Sequence, residues 1–219
     1  MRTRVKICGL TREADIAQAI EAGVDAIGLI CYAGSKRYVD LARAARLRRE
    51  VPAFVSVVTL FVNPAPDEVR AVLDHVGPDL LQFHGDESPE DCTRYGHRFM
   101  RAFRVGAAGL DSAGAIAAAC RPYHEAAGWL FDSYSSGYGG SGLTFDHSLL
   151  AEVQADAGSR PLVLAGGLNP DNIAQALALV QPWAVDVSSG VESGPGLKSA
   201  DKMKEFLKRI KKVDDDLHA

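Results

Sequence analysis

Val5-Lys6-Ile7-Cys8-Gly9-Leu10 opens the chain as a short apolar run that ends on a thiol and a glycine, and runs of the same kind return along its whole length. They recur at Ala26 to Cys31, Phe54 to Val62, Leu80 to His84, Met100 to Val105, Trp129 to Asp132, Leu162 to Ala165 and Ala184 to Val187. Each is rich in β-branched or aromatic residues and is too short for a helix. None alternates strictly between apolar and polar, which is how strands covered on both faces read, and that pattern predicts a parallel sheet. Between the runs lie stretches of helical periodicity with recognisable starts. Thr11-Arg-Glu-Ala, Asp40-Leu-Ala-Arg, Pro66-Asp-Glu-Val, Ser88-Pro-Glu-Asp and Asn169-Pro-Asp-Asn each place a capping residue or a proline where orphan amides need one.

Eight strand–helix units fill about 210 residues without a linker or a shift in composition, so the fold class expected is α/β, a single-domain (β/α)8 TIM barrel. An open doubly wound sheet has the same periodicity and stays open on that ground alone. The barrel is expected over 1–213. Its last helix should run from about Ser199 to Val213, leaving 214–219 as a polar tail that frays.

Net charge is −4 and the sequence pI about 5.9, a field that repels polyanions, so nucleic acid is excluded as an expected partner. The basic clusters Arg43 to Arg49 and Lys208 to Lys212 fall on amphipathic helices and read as solvated outer faces. No apolar stretch has the length of a secretory signal or a membrane span, so no membrane association is expected. Cys8, Cys31, Cys92 and Cys120 show neither a C-x-x-C pair nor a zinc spacing; a reduced, cytoplasmic setting is expected.

In a barrel of this kind, residues just after each strand converge on one mouth. Cys8 and Asp132 both hold such positions. A thiol there can serve as a base if a neighbouring cation lowers its pKa, and Lys6, two residues earlier on the same face, is placed to supply that field. The competing reading of Lys6 is a buried ion pair with Asp186 on the eighth strand. Asp132 follows Trp129-Leu-Phe, and apolar neighbours would raise its carboxyl towards the range of a general acid. Arg37 stands in Gly34-Ser-Lys-Arg-Tyr38, where it could fork onto a carboxylate. His84 has acidic neighbours, but no second histidine stands at a convincing spacing, so no metal is expected. Three glycine-rich turns follow strands six, seven and eight. Their Gly140, Ser141, Gly142, Gly166, Gly167, Ser188, Ser189 and Gly190 can present amides and hydroxyls to a phosphate. Cys31, Cys92 and Cys120 read as packing.

Taken together with their order, several strings are specific. Lys6-Ile-Cys-Gly-Leu-Thr11, Ser35-Lys-Arg-Tyr38, Leu81-Gln-Phe-His-Gly-Asp-Glu87, Phe131-Asp-Ser133, Gly139-Gly-Ser-Gly-Leu-Thr-Phe-Asp146, Leu164-Ala-Gly-Gly-Leu-Asn-Pro-Asp-Asn172 and Asp186-Val-Ser-Ser-Gly-Val-Glu192 cover nearly the whole chain. In these the chain resembles the phosphoribosylanthranilate isomerase family of tryptophan biosynthesis. The resemblance implies an Amadori rearrangement of a phosphorylated small molecule, with Asp132 as acid at the ring oxygen and Cys8 as base at C2′. It implies no cofactor, because the substrate's own iminium is the electron sink. Arg37 would hold the anthranilate carboxylate, Asp186 would act near the ribose, and Lys6, Gln82 and His84 would complete the substrate contacts. Monomers and homodimers are both expected forms. Lys36 stands where the family commonly has proline, which would loosen the loop that carries Arg37.

Rival phosphate-binding barrels fit less well, since an epimerase would want metal ligands and indole-glycerol-phosphate synthase a strand-end lysine and glutamate set. A silent phosphate-binding barrel would need neither Cys8 nor Asp132.

Overall fold

A computed structural model describes residues 2–134, 142 and 144–216. Eight parallel strands close into a barrel in sequence order: β1 (Arg4–Cys8), β2 (Ala26–Ile30), β3 (Ser56–Phe61), β4 (Leu80–Phe83), β5 (Phe99–Val105), β6 (Gly128–Ser133), β7 (Leu162–Leu164) and β8 (Ala184–Val187). β8 returns to β1 with Lys6 opposite Asp186, and this closure excludes the open sheet. Around the strands run α1 (Glu13–Ala22), α2 (Leu41–Arg49), α3 (Pro66–His75), α4 (Pro89–Thr93), α5 (Ala113–Cys120), α6 (Ala151–Ala155), α7 (Ile173–Val180) and α8 (Ala200–Asp216).

The expected helix starts hold for local reasons. Asp40 accepts the Arg43 amide, Ser88 and Asp91 cap each other reciprocally, and Pro66 occupies the first turn of α3. Ahead of α7 the Asn169 side chain accepts the amides of Asp171 and Asn172, so the helix proper starts later, at Ile173.

Alternate residues of each strand serve two different cores. Outward side chains such as Ile7, Ile27, Phe61, Phe83, Phe131 and Val185 pack beneath the helices in one large cluster, each worth about 1.5–3 kcal/mol on full burial. Inward ones fill the barrel in layers. Val58, Met100, Ala102, Leu130, Val163 and Ala165 form an apolar plug, and Cys8, Ile30, Leu60 and Val62 cluster separately. Two apolar faces explain why the strands read as unbroken runs. Lys6, Gln82, His84, Asp132 and Asp186 share the inward parity, so polar groups enter the barrel lumen on β1, β4, β6 and β8.

Two features depart from the expected layout. Helix α8 continues to Asp216, three residues past the expected end, because the Asp214 carboxylate accepts both the amide and the hydroxyl of Thr3 at 2.8 Å each. Residues 217–219 lie outside the described residues. A small antiparallel hairpin, β9 (Glu192–Gly194) with β10 (Leu197–Lys198), stands between β8 and α8 where only a loop was expected.

Candidate active site

One cavity at the C-terminal mouth of the barrel is lined by Cys8, Arg37, Gln82, His84, Asp132 and Asp186, six of the seven residues expected to do chemistry or bind the substrate's non-phosphate parts. The seventh, Lys6, lies one step deeper on β1. Its Nζ donates to Asp186 Oδ2 at 2.8 Å, with both side chains buried. The ion-pair reading of Lys6 is therefore correct, and it does not exclude an electrostatic role.

Room for this cluster comes from a residue that sequence reasoning passed over. Gly28 pairs with Cys8 across β1 and β2, and a methyl group there would stand 2.8 Å from Cys8 Sγ and 3.1 Å from Lys6 Nζ. A glycine inside an apolar strand is the usual mark of such a close approach.

Lys6 does act to lower the Cys8 pKa, as expected, but it does not prevail. Burial pushes the thiol up; the Lys6 ammonium opposes this, but the Asp186 carboxylate beside it adds to the rise, and the net direction is upward. Burial likewise pushes the Asp186 carboxyl up, against the pull of Lys6 and with help from Asp132. For Lys6, burial acts downward but Asp186 and Cys8 outweigh it, leaving the ammonium above its ordinary value. The cluster thus resists further negative charge.

Across the mouth, Asp132 occupies the penultimate position of β6. Its Oδ1 accepts the Ser133 amide at 2.9 Å, and its Oδ2 lies 3.2 Å from His84 Nε2 without the alignment of a hydrogen bond. This neighbour is polar, where an apolar setting was expected. Gln82 and His84 are joined through Gln82 Nε2 and His84 Nδ1 at 3.1 Å. Gln82 Oε1, His84 Nε2 and Asp186 Oδ1 are buried without a hydrogen-bond partner, a costly condition that native proteins tolerate at sites of function. Among the described residues no group of three His, Cys, Asp or Glu side chains could hold a metal ion.

Arg37 is buried although it stands in a loop. Its Nε and Nη2 fork onto Glu192 at 2.7 Å each, which holds its pKa above the ordinary arginine value. Lys198 Nζ donates to the same Glu192 Oε1 at 2.8 Å and to Ser188 O at 3.0 Å. Glu192 and Lys198 were missed at the sequence level. Glu192 ends the string Asp186-Val-Ser-Ser-Gly-Val-Glu192, but nothing in spacing says that a residue of the twelve-residue connection between β8 and α8 will meet Arg37.

Of the glycine-rich turns, the structure brings Gly166, Gly167, Ser188 and Ser189 onto the cavity. Gly190 packs against the Leu168 carbonyl, where any side chain would overlap that oxygen, and so fixes the turn after β8 against the turn after β7. Gly142 is exposed and outside the cavity lining. Gly140 and Ser141 lie outside the described residues. Cys92 and Cys120 are buried packing residues, as expected, and burial pushes both thiols up to about 12.

A closed (β/α)8 barrel with a thiol, carboxylates and an arginine gathered at its C-terminal mouth defines a TIM-barrel enzyme. A family model described as N-(5'phosphoribosyl)anthranilate (PRA) isomerase matches residues 5–209. The chain belongs to this N-(5'-phosphoribosyl)anthranilate isomerase family. It is 71% identical over 214 residues to the N-(5'-phosphoribosyl)anthranilate isomerase of Bordetella bronchiseptica, covering 98% of each chain. The phosphoribosyl anthranilate isomerase of Thermotoga maritima superposes with a TM-score of 0.85 at 40% identity, over 96% of this chain and 99% of that one. A phosphoribosyl anthranilate isomerase in complex with reduced 1-(o-carboxyphenylamino)-1-deoxyribulose 5-phosphate superposes with a TM-score of 0.83 at 37% identity, over 96% and 99%.

Proposed function

We propose that the chain converts N-(5-phosphoribosyl)anthranilate to 1-(2-carboxyphenylamino)-1-deoxyribulose 5-phosphate, in the cytoplasm, as a step of tryptophan biosynthesis. The observation that carries the reading is the placement of Cys8 on β1 and Asp132 on β6 around one cavity, with the turns after β7 and β8 on its rim.

The reaction needs one acid and one base. Asp132 delivers a proton to the furanose ring oxygen as the bond from that oxygen to C1′ breaks, and the anthranilate nitrogen's lone pair forms the C1′ iminium. Cys8, as thiolate, removes the proton from C2′. The electron pair of that C–H bond flows into the iminium and gives an enolamine, which takes a proton at C1′ and loses one from the 2′-hydroxyl to become the ketone. Atoms and electrons balance without a redox partner. The raised thiol is consistent with this order, because ring opening sets a positive iminium beside a sulfur whose ionisation burial disfavours.

The free lone pair of Gln82 Oε1, the Nε2 of His84 and Oδ1 of Asp186 are acceptors and a donor for ribose hydroxyls. Gly166, Gly167, Ser188 and Ser189 bind the phosphate through amides and hydroxyls, and Arg37 turns its remaining N–H groups to the anthranilate carboxylate. No helix among the described residues is long and apolar enough to cross a membrane.

The test is loss of anthranilate fluorescence with freshly generated phosphoribosylanthranilate in the presence of a chelator. Rapid decay by the wild type, crippled in Cys8→Ala and Asp132→Asn, is the expected result; a folded wild type that leaves the fluorescence unchanged refutes the assignment.

A further inference from the structure

We propose that Glu192 and Lys198 are positioning residues that aim Arg37 at the substrate's aryl carboxylate and tie that aim to the phosphate-binding turn after β8. The inference rests on the isomerase reading and concerns residues to which that reaction assigns no step.

Geometry makes the case. Glu192 takes two N–H groups of Arg37, at Nε and Nη2, and a guanidinium has five, so Nη1 and the second hydrogen of Nη2 remain for a ligand. A guanidinium gripped along one edge has a fixed plane, and a fixed plane is what bidentate recognition of a carboxylate requires. Lys198 donates to Glu192 Oε1 at 2.8 Å, to Ser188 O at 3.0 Å and towards Ser188 Oγ at 3.4 Å. Its three hydrogens are committed within the protein and its side chain is fully buried, so it does not touch substrate. Ser188 Oγ in turn donates to the Cys8 carbonyl at 3.0 Å. One chain of contacts therefore runs from Arg37 through Glu192 and Lys198 to the turn after β8 and the end of β1.

The β9–β10 hairpin exists to hold this chain of contacts. Glu192 and Lys198 pair across it, the Lys198 amide donates to buried Asp15, and Thr11 Oγ1 donates to the Gly196 carbonyl. Charge gives a second, independent argument. Two basic side chains, Arg37 and Lys198, share a single carboxylate beside a cavity proposed to take a dianionic phosphate and a carboxylate, and burial lowers the Lys198 pKa against the pull of Glu192. Buried ion networks are weak sources of stability, and a role in setting the site accounts for charge at this depth.

The experiment compares wild type, Glu192→Gln, Glu192→Asp and Lys198→Met, each first confirmed folded by its melting curve. Turnover is followed by fluorescence, and affinity is measured by calorimetry with two probes, reduced 1-(o-carboxyphenylamino)-1-deoxyribulose 5-phosphate and its counterpart lacking the carboxylate. Loss of a fixed guanidinium should raise KM about tenfold in Glu192→Gln with kcat changed less than about threefold, and should cut the preference for the carboxylated probe by a similar factor. Glu192→Asp keeps the charge but withdraws the carboxylate by one methylene, and the same loss of preference is expected. In Lys198→Met, competition by inorganic phosphate should weaken as well. Turnover by wild type together with an undiminished carboxylate preference in both Glu192 variants overturns the positioning role and leaves the reaction standing. A wild type without turnover overturns both.

Discussion

On the proposed mechanism Cys8 must lose its proton in a place where burial and Asp186 together outweigh the help of Lys6, so its titration should govern the activity. The sign follows from the direction of the shift: the reactive thiolate is scarce at neutral pH and grows as pH rises. The kcat/KM of the wild type is expected to climb with pH beyond the ordinary thiol range, until some other group limits it, and a stopped-flow pH profile checks this. A profile already flat from pH 6 upward would mean that the thiol is ionised in the free enzyme. Removing the base in Cys8→Ala should lower kcat by about 10²–10⁴, the usual worth of a positioned acid or base. Gly28→Ala tests the packing around the same sulfur. A methyl group 2.8 Å from Sγ forces the thiol or the strand to move. A shift of that size should lower kcat about 10²-fold and, as overpacking of a filled interior, cost about 1–3 kcal/mol of stability, measured by parallel turnover and thermal scans.

At the level of elements, the β9–β10 hairpin carries a pH dependence of its own. Burial raises the Glu192 carboxyl, but Arg37 and Lys198 outweigh this and hold it below the ordinary glutamate value. A carboxylate whose folded pKa is depressed contributes stability that is present above its unfolded pKa, about 4.3, and is lost as pH falls through the folded value. Acid unfolding should therefore have a steeper limb below about pH 4 in the wild type than in Glu192→Gln, and urea midpoints measured from pH 6 to pH 3 will show it. The same element explains why Lys36 does not leave its loop slack. Ser35 Oγ accepts the Arg37 amide at 3.1 Å and the Arg37 side chain is gripped by Glu192, so contacts from the hairpin supply the order that proline would give. These helix starts and strand runs were legible in the chain because they depend on residues three or four apart. The hairpin was not, because five residues of connection with glycine and proline carry little periodicity, and its Glu192 meets Arg37, 155 positions earlier.

For the whole molecule, barrel closure makes the last helix indispensable. Met203, Phe206 and Ile210 on α8 are buried, and at about 1.5–3 kcal/mol each their loss approaches the 5–15 kcal/mol that holds a typical domain together. A chain ended before Ala200 should show no cooperative thermal transition, whereas one ended after Asp216 should melt within about two degrees of the full protein, as scanning calorimetry can establish.

Most of the architecture is legible in local features of the sequence. Eight apolar runs with two buried faces, spaced by capped helices, define a parallel α/β sheet through local signals of periodicity, capping and turn chemistry, and the pairing of β8 with β1 closes it into a barrel. The strings around Cys8, Asp132 and the glycine turns marked the mouth for the same reason, as strand ends are local features. What only the tertiary structure decided is how those residues meet. Lys6 against Asp186, His84 beside Asp132, and Arg37 locked to Glu192 and Lys198 are pairings between distant strands and loops. Even the direction of the Cys8 shift depended on them, because the pKa of a buried group is set by how deeply it is enclosed and by which charges stand close to it in space.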